Sequence, residues 1–127
     1  MSIEGGCFCG NIRYAADDGD YIRANCHCTM CRGTSAAPYV AWMMVPNDKF
    51  RYTRGEPKTL DSSDKGKRYF CPDCGTHLAC ITTHRPDIVD ITIGSLDSPA
   101  DYPPTLQVWH DTRLPWVHDG TPEYEGE

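Results

Sequence analysis

The sequence has no apolar run approaching the roughly 18 residues of a membrane span, and only 39% of its residues are hydrophobic. No membrane partner is expected, and the core should be modest. Its start, Met1-Ser2-Ile3-Glu4-Gly5-Gly6, carries neither the basic residues nor the apolar stretch of a secretory signal, so the expected location is the cytoplasm. Cations are scarce too: 12 Lys and Arg stand against 18 Asp and Glu, for a formal charge of −6. Nonspecific nucleic-acid binding needs clustered cations to neutralise phosphate, and no nucleic-acid partner is expected. The dense basic stretch that does occur, Lys65-Gly66-Lys67-Arg68, has two readings. A solvated loop is the default for so short a run, and a counter-charge for an anionic ligand is the sharper one. Also missing are a phosphate-cradling glycine loop and any Ser-His-Asp arrangement.

What is present points to short strands. Gly 11 and Pro 10 are scattered through the chain, which cuts helical periodicity short and favours strands joined by turns. Residues 11–15, 38–45, 49–53, 78–83, 88–93 and 106–109 are β-branched or aromatic stretches bounded by turn formers. Asp90-Ile91-Thr92-Ile93 alternates polar and apolar, as a half-buried strand does. The length of 127 residues suits one mainly-β domain spanning 1–127, with the polar, acidic 118–127 as a loose tail. Trp42, Trp109, Trp116, Tyr39 and Tyr102 are read as core or turn anchors in preference to cleft-lining residues. Asp97, Asp111 and Glu56 are read as surface or turn residues.

The chemistry lies in eight cysteines. In a reducing compartment, paired cysteines are more often metal ligands than disulfides. Cys71-Pro72-Asp73-Cys74-Gly75 is a knuckle sequence whose tight turn aims two sulfurs at one ion, with Gly75 free to adopt the conformation that follows. Cys7 and Cys9, two apart, share a face if the chain there is extended. Two ligands do not complete a tetrahedral site, and the two pairs together supply the four that a structural zinc takes. Such a site would tie the N-terminal strand to the middle of the chain across a long loop.

Cys26, Cys28 and Cys31 then remain, three ligands within six residues that leave a fourth corner open, as in sites where zinc does chemistry. That corner has several candidates: His27, His77, His84, Cys80 or an outside ligand. An extended chain would point His27 away from the ion its neighbours share. His77 is the better protein ligand, although a histidine there is as apt to hydrogen-bond a carbonyl. Cys80, in an apolar strand, reads as a buried free thiol. Seven thiolates with two Zn²⁺ would make the chain more acidic by about three charges. Which pairs meet in space is not fixed by counting alone.

Taken together, the motifs resemble the glutathione-dependent formaldehyde-activating family, whose domain is shared with centromere protein V. The resemblance is carried by Gly6-Cys7-Phe8-Cys9-Gly10, Cys26-His27-Cys28-Thr29-Met30-Cys31-Arg32, Ala37-Pro38-Tyr39-Val40-Ala41-Trp42 and Phe70-Cys71-Pro72-Asp73-Cys74-Gly75-Thr76. It continues through Ile91-Thr92-Ile93-Gly94-Ser95-Leu96-Asp97 to Leu114-Pro115-Trp116. It implies a β-tent fold of short antiparallel strands stapled by zinc, with two Zn²⁺ per chain. The closed site would fall on Cys7, Cys9, Cys71 and Cys74, and the open one on Cys26, Cys28 and Cys31, whose ion is held less firmly and is expected to show partial occupancy. The implied partners are glutathione, or another low-molecular-weight thiol, and a small aldehyde. The implied reaction is that of a carbon–sulfur lyase, adding the thiol to formaldehyde as an S-hydroxymethylglutathione synthase does. Thr29 and Arg32 are candidates for orienting the aldehyde. Two rivals stand beside this expectation. One is a thiol-binding carrier without catalysis, and the other is a structural zinc interaction module whose second site is closed by His77 or Cys80.

Overall fold

The computed structural model describes residues 2–117; the expected tail at 118–127 lies outside the described residues. Ten strands and one short helix run in the order β1 (Ser2–Gly6), β2 (Arg13–Asp17), β3 (Ile22–Cys26), α1 (Thr29–Ser35), β4 (Val40–Pro46), β5 (Phe50–Arg54), β6 (Lys58–Ser63), β7 (Gly66–Phe70), β8 (His77–Thr82), β9 (Ile88–Thr92) and β10 (Leu106–Val108). The fold is mainly β, as composition and turn spacing predicted. Six of the strands overlap the sequence-predicted stretches. The others, β1, β3, β6 and β7, are additions.

The strands form two sheets: a three-stranded one in the order β1-β2-β5, and a seven-stranded one in the order β10-β3-β4-β9-β8-β7-β6. Every pairing is antiparallel except β10 with β3, where Val108 stands opposite Cys26. Period-two alternation divides the large sheet between two apolar clusters. Met43, Val45, Ala79, Val89 and Ile91 pack toward Ile3, Ile12, Tyr14 and Ala16 of the small-sheet side and form the main core. Their alternates Val40, Trp42 and Cys80 gather Cys26 and Cys31 into a second cluster. Cys7 and Cys71 belong to the first cluster, so the two cysteine sets sit in separate apolar environments.

The turn after β9 packs closely on β1 where β1 lacks side chains, with Leu96 bridging to Gly5. A Cβ on Gly5 would lie 2.5 Å from Tyr14 Oη and 2.6 Å from the Ser95 carbonyl oxygen. Tyr14 is buried and shares a 2.6 Å hydrogen bond with the Ser95 hydroxyl. Among the described residues no helix is long and apolar enough to cross a membrane.

Candidate metal centres

The first cysteine set is built from two turns. Cys7-Phe8-Cys9-Gly10 follows β1 as a turn, closed by Gly10 N–H donating to the Cys7 carbonyl at 3.1 Å. The extended geometry predicted for this pair is therefore replaced by a knuckle like the second one. The reason is local: Ile12 N–H donates to Cys7 Sγ at 3.2 Å and Cys7 N–H to the Ile12 carbonyl at 3.0 Å, which curls the chain around the sulfur. Cys71-Pro72-Asp73-Cys74-Gly75 joins β7 to β8 in the same way. Here Asp73 and Cys74 N–H donate to Cys71 Sγ at 3.4 and 3.5 Å, and Gly75 N–H to the Cys71 carbonyl at 2.9 Å. Gly10 and Gly75 follow at φ 82° and 80°, left-handed values that favour glycine.

The turns are stitched together. Phe8 N–H donates to Thr76 Oγ1 at 3.0 Å and Asn11 Nδ2 to Asp73 Oδ2 at 2.9 Å. The sulfurs of Cys7, Cys9, Cys71 and Cys74 all lie within 4.8 Å of one another. Two of the spacings are 3.6 Å, Cys7 to Cys9, and 3.8 Å, Cys9 to Cys71. A tetrahedral ZnS₄ unit with Zn–S near 2.3 Å has sulfurs about 3.8 Å apart, so the donor set fits that ion. Hydrogen bonds from the Thr76 hydroxyl and backbone draw the Cys74 thiol down to about 5. Against burial, which pushes it up, the Ile12 N–H and neighbouring sulfurs hold Cys7 below the ordinary thiol range. Cys9 moves the other way: against the Asn11 N–H, burial and its sulfur neighbours push it up to about 12, so the set shares its protons unequally and a metal ion bound there would displace them.

The second set is local. Cys26 ends β3, Cys28 caps α1, and Cys31 lies in its first turn, with Cys31 N–H donating to Cys28 Sγ at 3.3 Å. Thr29-Met30-Cys31-Arg32-Gly33-Thr34-Ser35 has poor helix propensity, and the cap is what starts it. The three sulfurs lie within 4.8 Å of one another, with Cys26 and Cys31 buried and Cys28 half-buried. Sharing a proton with Cys26, and facing the Arg68 guanidinium, Cys31 is drawn down to about 5; Cys26 is correspondingly raised. None of the eight cysteines is disulfide-bonded.

None of the four protein candidates for the fourth corner joins these sulfurs. Cys80 is buried beside them and its thiol is pushed up to about 11 by burial. His77 sets its ring edge-on to Trp42, 5.3 Å between centroids, and burial holds it down at about 4. His27 is wholly buried and bonded to Gln107, so it does point away from the cluster. His84 lies on a cavity of about 390 Å³ that begins at Cys28 and Thr29. Lys65, Arg68 and Trp109 line it as well, with Cys80 on its wall. Trp109 therefore does not anchor the core: it is 64% exposed, whereas Trp42 is buried as expected. Arg68 was hidden in the basic run, although alternation from Gly66 onward turns Lys67 outward and Arg68 inward.

Comparison with known proteins decides the family. The family model described as glutathione-dependent formaldehyde-activating enzyme matches residues 2–112. The chain belongs to that family. A Halomonas elongata protein named provisionally as a glutathione-dependent formaldehyde-activating enzyme is 26% identical over 126 residues, covering 92% of this chain and 80% of that one. A crystal structure of a Rhodobacter sphaeroides protein shares the fold at a TM-score of 0.68 and 19% identity, over 83% of this chain and 99% of that one. In this member of the formaldehyde-activating family, the matched region contains both cysteine sets and the cavity beside the second.

Proposed function

We propose that the chain is a single zinc-binding domain holding two Zn²⁺, one fixed by Cys7, Cys9, Cys71 and Cys74 and one at Cys26, Cys28 and Cys31. At the second, glutathione or a related thiol joins formaldehyde or another small aldehyde. The observation that carries this reading is the cavity: a three-sulfur set, one ligand short of a tetrahedron, has its least buried cysteine on the wall of a ligand-sized space. Zinc bound there supplies one thing, a lowered pKa for a thiol arriving at the vacant corner.

The residues of the chain do the rest. Lys65, on the cavity wall, meets a carboxylate of the thiol. Met30 and Trp109 offer apolar surface to its stem. In the reaction the sulfur electron pair forms the carbon–sulfur bond to the carbonyl carbon, and the carbonyl π pair moves to oxygen. That oxygen takes up the proton the thiol gave up, so S-hydroxymethylglutathione forms with nothing oxidised or reduced. This is the chemistry of a carbon–sulfur lyase run toward addition, suited to the cytoplasm, where thiols stay reduced.

A native mass spectrum with and without glutathione tests the reading. Two zinc ions plus a glutathione adduct that disappears in Cys28→Ser support it, and a faster rate of S-hydroxymethylglutathione formation than in buffer separates enzyme from carrier. Two zinc ions with no adduct at millimolar glutathione would sink the thiol site and leave a structural module.

A further inference from the structure

Arg68 is the one Arg or Lys that is buried among the described residues, at 6% exposure. It stands on β7 opposite Cys80 of β8, inside the second apolar cluster's surroundings. A buried guanidinium ordinarily finds a carboxylate, and Arg13, Arg23, Arg51 and Arg85 each pair with an aspartate. Arg68 instead points both Nη atoms at Cys31 Sγ, 3.7 Å from each, and its Nε has no hydrogen-bond partner. Its hydrogen bonds go to sulfur, and the buried Asp90 carboxylate, already paired with Arg85, acts on it only through charge.

The two cysteine sets differ in how their negative charge is met. In the four-cysteine set, backbone N–H groups of Ile12, Asp73 and Cys74 donate to sulfur and Cys9 is open to solvent. In the three-cysteine set, Val40 and Trp42 exclude water, and Cys31 takes its hydrogen bonds from a full positive charge. Three thiolates around a divalent ion leave one net negative charge, and an anionic fourth ligand leaves two; burying that without a cation is unfavourable.

We propose that Arg68 is the counter-charge of the Cys26, Cys28 and Cys31 set, a positioning residue that lets this set retain a divalent metal and then accept an anionic sulfur ligand. The second half rests on the thiol-binding reading above; the first half does not. Because Arg68 also lines the cavity, its charge is felt by whatever occupies that space.

The test compares the zinc-loaded full chain with Arg68→Gln, which keeps polarity without charge, and Arg68→Lys, which keeps charge. A competing chelator is titrated while native mass spectrometry counts ions, with Cys28→Ser marking which ion belongs to the three-cysteine set. Arg68→Gln is expected to hold the first ion like the parent and to bind the second about 10–100-fold more weakly, as loss of an outer-shell partner does. Arg68→Lys is expected to recover most of that loss, and to restore the glutathione adduct with it. Three results would overturn the proposal: parent-like retention of the second ion in Arg68→Gln, an Arg68→Lys variant as weak as Arg68→Gln, or loss of the first ion in both. If the parent takes no glutathione, the thiol reading fails, and the affinity of the second ion still decides the role of Arg68.

Discussion

His27 Nε2–H donates to Gln107 Oε1 at 2.6 Å, tying β10 to the residue between Cys26 and Cys28. The backbone repeats the tie: His27 N–H donates to the Val108 carbonyl at 3.1 Å, and the Thr112 hydroxyl to the His27 carbonyl at 3.0 Å. A tilted ring contact with Tyr39 and an edge-on one with His110 complete the packing. The imidazole is thus a brace for the three-cysteine segment. Gln107→Ala strands a buried donor and should cost about 1–3 kcal/mol. Urea denaturation of the metal-loaded chain measures it, and an unchanged midpoint would remove the brace.

Asp90 supplies a pH dependence. Burial, offset in part by Arg85 at 3.2 Å, raises its carboxyl from 3.8 to about 6. Between those values the folded chain binds more protons at this site than the unfolded chain, so its contribution falls as pH rises. It is most favourable below about pH 4 and fully lost above about pH 6, a change of about 3 kcal/mol at 1.4 kcal/mol per pH unit. Asp90→Asn should therefore gain stability relative to the parent as pH rises from 4 to 7. Taking the difference between the two proteins cancels the proton dependence of metal release, which both share.

Cys80 and His77 lie near the three-cysteine set without joining it. Cys80→Ala and His77→Ala should each retain two zinc ions in a native mass spectrum. Loss of the second ion in either variant would mean that the set is closed by that residue, and the structural-module reading would replace the enzymatic one.

Removal of the four-cysteine site should be far more damaging. Cys71 is completely buried, and a structural zinc contributes about 10–16 kcal/mol in small zinc domains, as much as the whole stability of a typical domain at about 5–15 kcal/mol. Cys71→Ser should show collapsed amide dispersion in an NMR spectrum, while Cys28→Ser keeps a folded one. Similar spectra for the two would mean that the sheets hold without the clip.

Lys65→Gln isolates the anionic end of the thiol. Glutathione affinity should fall several-fold, by about 1 kcal/mol for loss of an exposed ion pair, while affinity for β-mercaptoethanol, which carries no carboxylate, stays put. An equal loss for both thiols would place Lys65 in the scaffold and not at the ligand.

Much of the candidate site was legible because metal-ligand chemistry is written in spacing. The partition into four and three cysteines followed from ligand counting with the family resemblance, and the two sulfur groups of the structure leave out His27 and Cys80. The reasoning for Cys7 and Cys9 was less sound than its result, since the pair is presented by a turn and not by a strand. Local propensity hid other elements. β1 ends in two glycines because Tyr14 and Ser95 crowd it, and glycine argues against a strand until that neighbour is known. β6 is exposed along its length but for Ser62, so no apolar alternation announces it. α1 depends on a cysteine cap, which no propensity scale weights. Arg68 was concealed by its cationic neighbours, because a run of charges reads as solvent-facing until the pleat separates inward from outward positions.

The contrast between the two cysteine sets extends to the order in which the chain can be assembled. Cys26, Cys28 and Cys31 lie within six residues, so a nascent chain can capture a metal ion there before any sheet exists. Cys9 and Cys71 are 62 residues apart, and their site closes only after Cys71 has been synthesised and the strands between have found their register. The three-cysteine set is thus available from early in synthesis, and the four-cysteine set comes together late. On the two-zinc reading proposed above, the three-cysteine segment is during that interval the part of the chain most open to the wrong metal or to oxidation, and a shortage of zinc would act on this protein as it is made, before it could act in use.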